Sequence, residues 1–469
     1  MAAIIVFTSG CSEKYSEDFN LETDCQYSYY NSVTSWNKIQ SDGDGQYILK
    51  DYYIYYYNTE KNTMVPLCNK PNCLHDMETD QSRRLDCNAC APAEFGGGDA
   101  RIQYYDGYIY YFFNGLEDFS LYRVSKDGSK KDKIFTINDE NMLYTWLIHR
   151  GYFYYVTQTY YYGEDKDTQV YQQSELKYIK LSSNMKEDDA QVIFKSDNKH
   201  SAFGIYDLKA YKNYLCYNLT ANTNDVEWEN DEGWYSQIYS PTYLYNIKTG
   251  ENREIPVPEG YSKTTAIGGV AFLKDKMLIK LYDNVKDVSG ENQDGGYKTT
   301  IYSINYDLTD EKVWLDGVEQ AKLVQTYGDY VIISDAMLQL LPYLNKRQEL
   351  LESMESQSGS TESQSESVES QSETSVFDSY KLNTNVEIYS SDAKRISYFV
   401  YPINSKGNFN GFGPDGVNVD FKEDDDSWSV YELNFNDVLN LNGEEVELNC
   451  VSTRKFGPLK GLNSFVIEN

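Results

Sequence analysis

No stretch of this sequence stays apolar for the roughly twenty residues that a bilayer-spanning helix needs. The most apolar opening run, Ala2–Phe7, is far too short. Basic residues are also in short supply: 42 Lys and Arg stand against 73 Asp and Glu, a formal charge of −31. Phosphate backbones are held by Lys and Arg through counterion release, so nucleic acid is excluded as an expected partner. An acidic surface also repels anionic membranes and keeps an exposed protein soluble. No Gly-x-Ser-x-Gly, His-Glu-x-x-His or phosphate-loop pattern occurs, which removes the nucleophile-elbow hydrolases, the zincins and the P-loop enzymes. "GFGPDG" (411–416) matches Gly-x-Gly-x-x-Gly but leads into the strand-like "VNVDF", so it reads as a turn. No long amphipathic helical period separates the strand-like segments, which argues against βαβ connections and parallel sheets.

Tyrosine is abundant, with 46 residues. Its ring buries well while its hydroxyl asks for a partner or water, which suits strands better than a dry helical core. Self-similarity organises these strands. "DGYIYYFFNG" (106–115) is followed by "LYRVSKDGSKKDKIF" (121–135): strand, connection, strand, Asp-Gly turn, strand. The same grammar recurs from 51, 150, 212, 274, 328 and 415, giving seven units. Lys212-Asn213 and Lys274-Asp275 replace the Asp-Gly pair in later units. Repeats of roughly 40–60 residues made of short strands mark propeller blades. Within "GYIYYFFN" both alternating faces are apolar or aromatic, as expected of a strand held between two neighbouring sheets. The expected fold is therefore all-β, a single β-propeller over residues 37–469 of about seven blades, with six or eight also compatible.

Two inserts interrupt the pattern. Residues 345–375 are Ser-, Glu- and Gln-rich and bury too little apolar surface to offset the entropy of ordering, so a low-complexity disordered loop is expected there. Residues 66–92 carry Cys68, Cys73, His75, Cys87 and Cys90, spaced Cys-x4-Cys-x-His and Cys-x2-Cys. Paired ligands of this kind suit a structural zinc ion. The same cysteines suit disulfides knotting a loop with little core of its own, and free thiols are the third state left open. A thiol nucleophile would need a His base, and His75 reads more economically as a ligand or loop anchor.

The N-terminus "MAAIIVFTSGCSEKYSEDFN" runs from apolar to small residues to a cysteine and a polar spacer, like the end of an export signal. "TSGC" resembles the bacterial lipobox, with Thr8 where Leu is usual; residues 1–10 would be a truncated signal, Cys11 the lipidated residue, and 11–36 an anchor and leader strand. The Asp-Gly-x-Ile-Tyr-Tyr and Leu-Tyr-Arg-x-x-x-Asp-Gly-Ser segments resemble bacterial surface propellers of the family related to the receptor-type low-density-lipoprotein β-propeller. That resemblance is close over 101–137 and looser over 40–455. It implies a lipoprotein on the outer face of the cytoplasmic membrane, and a Cys and His insert of local structural role after the first unit.

The remaining candidates follow from placement. Cys25, in the leader, and Cys450, in the last unit, would become neighbours if the chain ends pair in one blade, so a disulfide between them is expected. Cys216, inside "YLCYNLT", reads as a buried small hydrophobe. Asp42 and Asp44 read as turn residues, and Asp424–Asp426 as a solvated loop. Trp228, Trp234 and Tyr235 lie in a long connection beside acidic residues and offer a stacking surface for a ligand. These features give a lipid-anchored extracytoplasmic binding module for a glycan, peptide or partner protein, touching the membrane through its anchor only. The alternative is an extracellular carbohydrate-active hydrolase or lyase that uses two carboxylates near the axis.

Overall fold

The computed structural model describes residues 15–16, 18–26, 39–50, 52–92, 101–114, 119–137, 142–162, 169–196, 200–223, 238–261, 265–283, 298–319, 322–334, 382–403, 412–413, 416–422, 427–433, 435–446 and 449–455. Their strands form seven sheets that follow one another along the chain. The first contains β1 (Ile39–Ser41), β2 (Gly45–Lys50), β3 (Tyr53–Asn58) and β4 (Thr63–Pro66). The second contains β5 (Ile102–Tyr105), β6 (Tyr108–Asn114), β7 (Phe119–Ser125) and β8 (Lys131–Ile137). The third is built from β9 (Met142–His149), β10 (Tyr152–Tyr162), β11 (Gln169–Lys180) and β12 (Gln191–Lys195). In the fourth, β13 (His200–Tyr211), β14 (Tyr214–Thr223), β16 (Thr242–Asn246) and β17 (Asn252–Glu254) pair in turn, with the short β15 (Ile238–Tyr239) on β14. The fifth comprises β18 (Thr265–Phe272), β19 (Lys276–Asp283), β20 (Lys298–Asn305) and β21 (Lys312–Glu319). The sixth has β22 (Leu323–Tyr327), β23 (Tyr330–Ser334), β24 (Leu382–Ser390) and β25 (Arg395–Ile403). The last combines β26 (Phe412–Gly413), β27 (Gly416–Lys422), β28 (Ser427–Leu433) and β30 (Asn449–Lys455), while β29 (Asn442–Glu445) adds to the sixth in parallel with β25.

The sheets are arranged radially as one β-propeller. First strands stand side by side: β1 touches β5, β5 touches β9, β9 touches β13, and β18 touches β22. The outer strand β30 of the last sheet meets β4 of the first. Hydrophobic seams lie between neighbouring sheets, and strand periodicity explains how one strand serves two seams. On β10, Phe153 and Tyr155 belong to the cluster shared with the second sheet, while Tyr154 and Val156 belong to the one that continues into the fourth. All four are buried. Each such aromatic contributes about 1.5–3 kcal/mol of burial, so a lone blade would expose both faces and lose this term.

Near the axis, polar side chains on or beside the first strands bond to the backbone of the next blade. Gln40 Oε1 accepts from the Tyr104 amide at 3.2 Å. Gln103 bonds both to the amide and to the carbonyl of Ile148. Lys209 Nζ donates to the Val270 carbonyl at 3.2 Å, and Lys280 Nζ, on β19, to that of Lys322 at 2.5 Å. Burial brings the Lys280 ammonium down to about 8.

Two expectations need correction. The unit placed at 51 opens on β3, the third strand of its sheet, whereas the units at 106, 150, 212, 274, 328 and 415 open at a second strand. The counterpart in the first sheet is the turn before β2, Asp42–Asp44. Both middle strands of a blade lie between sheets, so both become Tyr-rich and a tyrosine run does not tell them apart. Nor do the chain ends share a sheet among the described strands: β1–β4 all precede the insert, and β26, β27, β28 and β30 all come from the C-terminal end. Ring closure there is contact between outer strands. The low-complexity segment 345–375 lies outside the described residues.

Candidate metal centre

The Cys and His insert leaves the first sheet at Pro66 and returns to it. It contains a 3-10 turn, His75–Met77, and one short helix, α1 (Gln81–Asp86). Asp80 caps α1, its carboxylate accepting from the amides of Ser82 and Arg83, a favoured N-cap arrangement. The helix stops at Cys87, whose amide donates to the Arg84 carbonyl at 3.0 Å. Residues 89–91 then lie alongside β3, with the Ile54 amide on the Ala89 carbonyl and the Ala91 amide on that of Tyr52. Two β3 tyrosines hold the insert from below. Tyr53 Oη donates to the His75 carbonyl at 3.1 Å and accepts from Arg84 Nε at 3.0 Å. Tyr55 Oη donates to the buried Asp76 carboxylate.

This path brings Cys68, Cys73, His75 and Cys87 together, with their four ligand atoms all within 4.8 Å of one another. Cys87 Sγ lies 3.7 Å from His75 Nδ1. Zinc–sulfur and zinc–nitrogen bonds of about 2.3 and 2.0–2.1 Å at tetrahedral angles put S and N roughly 3.6 Å apart. The four cysteines of the insert are thiols, without a disulfide among them. Of the three states open in the sequence, the geometry is that of a Cys3His set able to coordinate a metal ion.

The surroundings favour a thiolate at Cys68 and oppose one at Cys87. Burial raises the Cys68 thiol, but backbone N–H groups of Lys70 and Asn88, with Cys87 and Cys73 beside it, bring it below its ordinary value. Burial and the neighbouring charge on Cys68 push Cys87 well up, against one N–H bond from Ala89. Such amide-to-sulfur bonds orient and stabilise a coordinating sulfur. Cys90 stands outside the set. It is fully buried in the seam between the first two sheets, and burial takes it up to about 11 against the pull of Lys131. Lys131 Nζ donates to the carbonyls of Leu85, Cys87 and Cys90 at 2.9, 2.9 and 3.2 Å.

The insert also joins the first two blades. The Asn69 amide and Asn88 Nδ2 both donate to the Gly128 carbonyl, at 3.1 and 2.9 Å. Gly128 has φ +70°, and a Cβ there would come within 2.7 Å of the Cys68 nitrogen, so only glycine fits. Sequence reasoning saw Asp127-Gly128 as an ordinary hairpin turn and missed both Gly128 and Lys131. The recurring Asp-Gly gives no sign that this copy abuts a cysteine.

The other expected residues are scattered. Cys216 is buried in β14, and burial raises it to about 12. Asp42 Oδ1 accepts from the amides of Asp44 and Gly45, a turn-closing role. Cys25 is buried in the leader, where its amide donates to His149 Nδ1. Cys450 belongs to β30, but its side chain lies outside the described residues, and so does any bond between the two. Cys11, Asp424–Asp426, Trp228, Trp234 and Tyr235 also lie outside them.

No protein-family model matches the sequence, and no curated protein does. Among solved structures, the chain is similar to an oligogalacturonate lyase from Vibrio parahaemolyticus, at 12% identity over 67% of this chain and 72% of that one, with a TM-score of 0.37. It is also similar to prolyl oligopeptidase B from Galerina marginata, at 10% identity over 91% and 52%, TM-score 0.45. A third is Porphyromonas gingivalis dipeptidyl peptidase 4, at 10% identity over 87% and 53%, TM-score 0.39. The chain spans about half the length of these two peptidases. At such identities none of these reactions transfers to this chain.

Proposed function

We propose that the protein is a lipid-tethered extracytoplasmic recognition propeller for a glycan, peptide or partner protein, in which the Cys3His set holds zinc as a structural knot. The observation that supports a structural over a catalytic metal is the closed ligand set. Four protein ligands fill a tetrahedral ion, whereas catalytic zinc keeps one position for water or substrate. Soft thiolate ligands with one imidazole favour zinc over oxygen-seeking ions such as magnesium or manganese. Among the described residues the carboxylate that burial raises is Glu254, on the outer strand β17. A glycosidase-like pair near the axis would call for two carboxyl groups pushed apart in pKa. The outer face of the membrane is the location implied by the lipobox-like "TSGC" and the surface-propeller resemblance.

A glycan array and a pull-down on the full chain, run beside a product assay on polysaccharides, test the function. Retention of a ligand without turnover is expected. Release of reducing ends or unsaturated products would replace this reading with the carbohydrate-active one.

A further inference from the structure

We infer that the leader, residues 15–16 and 18–26, is a clasp that laces the first four blades together on one face of the ring. In an antiparallel blade, successive turns alternate between the two faces of the ring. The turns joining first to second strands, at 42–44, 106–107, 150–151 and 212–213, therefore share one face. The leader binds there. Gln26 exchanges two hydrogen bonds with the Ser41 backbone in the first sheet. The Glu22 carbonyl accepts from the Asp106 amide at 2.8 Å, and the Glu22 carboxylate from Tyr104 Oη at 2.7 Å, both in the second. The Thr23 carbonyl accepts from the Arg150 amide at 2.8 Å in the third. A crevice lined by Phe19, Asp24, Cys25, His149, Tyr211 and Lys212 carries it onto the fourth.

Arg150 is the hub. Its guanidinium is buried, pairs with Asp24 at 2.9 Å, donates to Asn213 Oδ1 at 3.0 Å and to the Ser16 carbonyl at 2.8 Å, and faces the Tyr15 ring. His149 completes the latch. Its Nδ1 accepts the Cys25 amide, so Nε2 carries the proton donated to the Lys212 carbonyl at 2.7 Å. The strand ends flanking 163–168, 224–237, 284–297 and 335–381 lie on the other face. The clasp stands on the leader's contacts alone and holds whether or not the recognition reading does.

Amide hydrogen exchange on the full chain tests the clasp without any ligand. In the unaltered protein the Cys25 and Asp106 amides are expected to exchange slowly. In Arg150→Ala, which strands Asp24, they should exchange faster by on the order of a hundredfold. The Ile54 and Ala91 amides, which tie β3 to the metal insert, should be unchanged. Asp24→Asn, which keeps the shape, should give the same pattern with a smaller change. Unprotected Cys25 and Asp106 amides in the unaltered chain would overturn the inference. So would an equal acceleration across all sheets, which would make Arg150 a general stability residue.

Discussion

Cys87→Ser is expected to abolish metal binding and to cost several kcal/mol of stability, whereas Cys90→Ser should leave one metal per chain. The two cysteines are close in sequence, both buried, yet only Cys87 belongs to the four-ligand set. Structural zinc contributes about 10–16 kcal/mol of apparent binding energy in small zinc-finger peptides. Here Tyr53, Tyr55 and Gly128 hold the insert independently, so part of its structure survives metal loss and the expected cost is lower. A chelator should reproduce the Cys87→Ser result. Opening should be local, read as loss of exchange protection at the Ala91 and Asn69 amides, which bond to Tyr52 and Gly128. Cys90→Ser instead buries a hydroxyl in an apolar seam, costing about 1–3 kcal/mol without touching metal content. Metal content by elemental analysis and denaturant midpoints for the three chains check both outcomes.

Acid should weaken the ring through His149. Burial holds this imidazole down at about 4, opposed by the Asp24 carboxylate and the hydrogen bond to the Lys212 carbonyl and reinforced by Arg150. Its ordinary value is 6.5. Between these values the unfolded chain binds a proton that the folded chain refuses, so stability is lost as pH falls from about 6.5 to about 4. The interval corresponds to about 3 kcal/mol. Protonating Nδ1 also removes the acceptor for the Cys25 amide, so the clasp is the segment released. Carboxylates titrate at the lower end of this window. The informative quantity is therefore the difference between the unaltered chain and His149→Asn in denaturation midpoints at pH 7, 5 and 4. The variant should show a shallower decline by up to one proton; parallel curves would refute the role assigned to His149.

The fold was legible because its physics is local and repeated. A strand between two blades must be apolar on both faces, and "GYIYYFFN" and "RGYFYYVTQ" display that requirement directly. The first blade shows the limit of the signal: "YYIYYY" is a third strand that reads like a second one. Four of the five insert residues assemble, as a zinc reading of their composition allows. Cys90 does not, because the short stretch that follows Cys87 turns back onto β3 and carries Cys90 into the seam. The clasp was not legible. Its bonds run from backbone carbonyls of Glu22 and Thr23 and from a histidine far along the chain, and no periodicity marks such partners. The Gln of "KIQS" and of "RIQYY" does recur at the blade-to-blade staples, a signal that could have been read before the structure.

The most direct measurement is X-ray absorption spectroscopy of the purified full chain at the zinc edge, with metal content measured on the same sample. One zinc per chain is expected, coordinated by three sulfurs at about 2.3 Å and one nitrogen at about 2.0–2.1 Å. A metal-free protein with Cys68, Cys73 and Cys87 oxidised to disulfides, or an ion with a water in its coordination sphere, would contradict the structural knot.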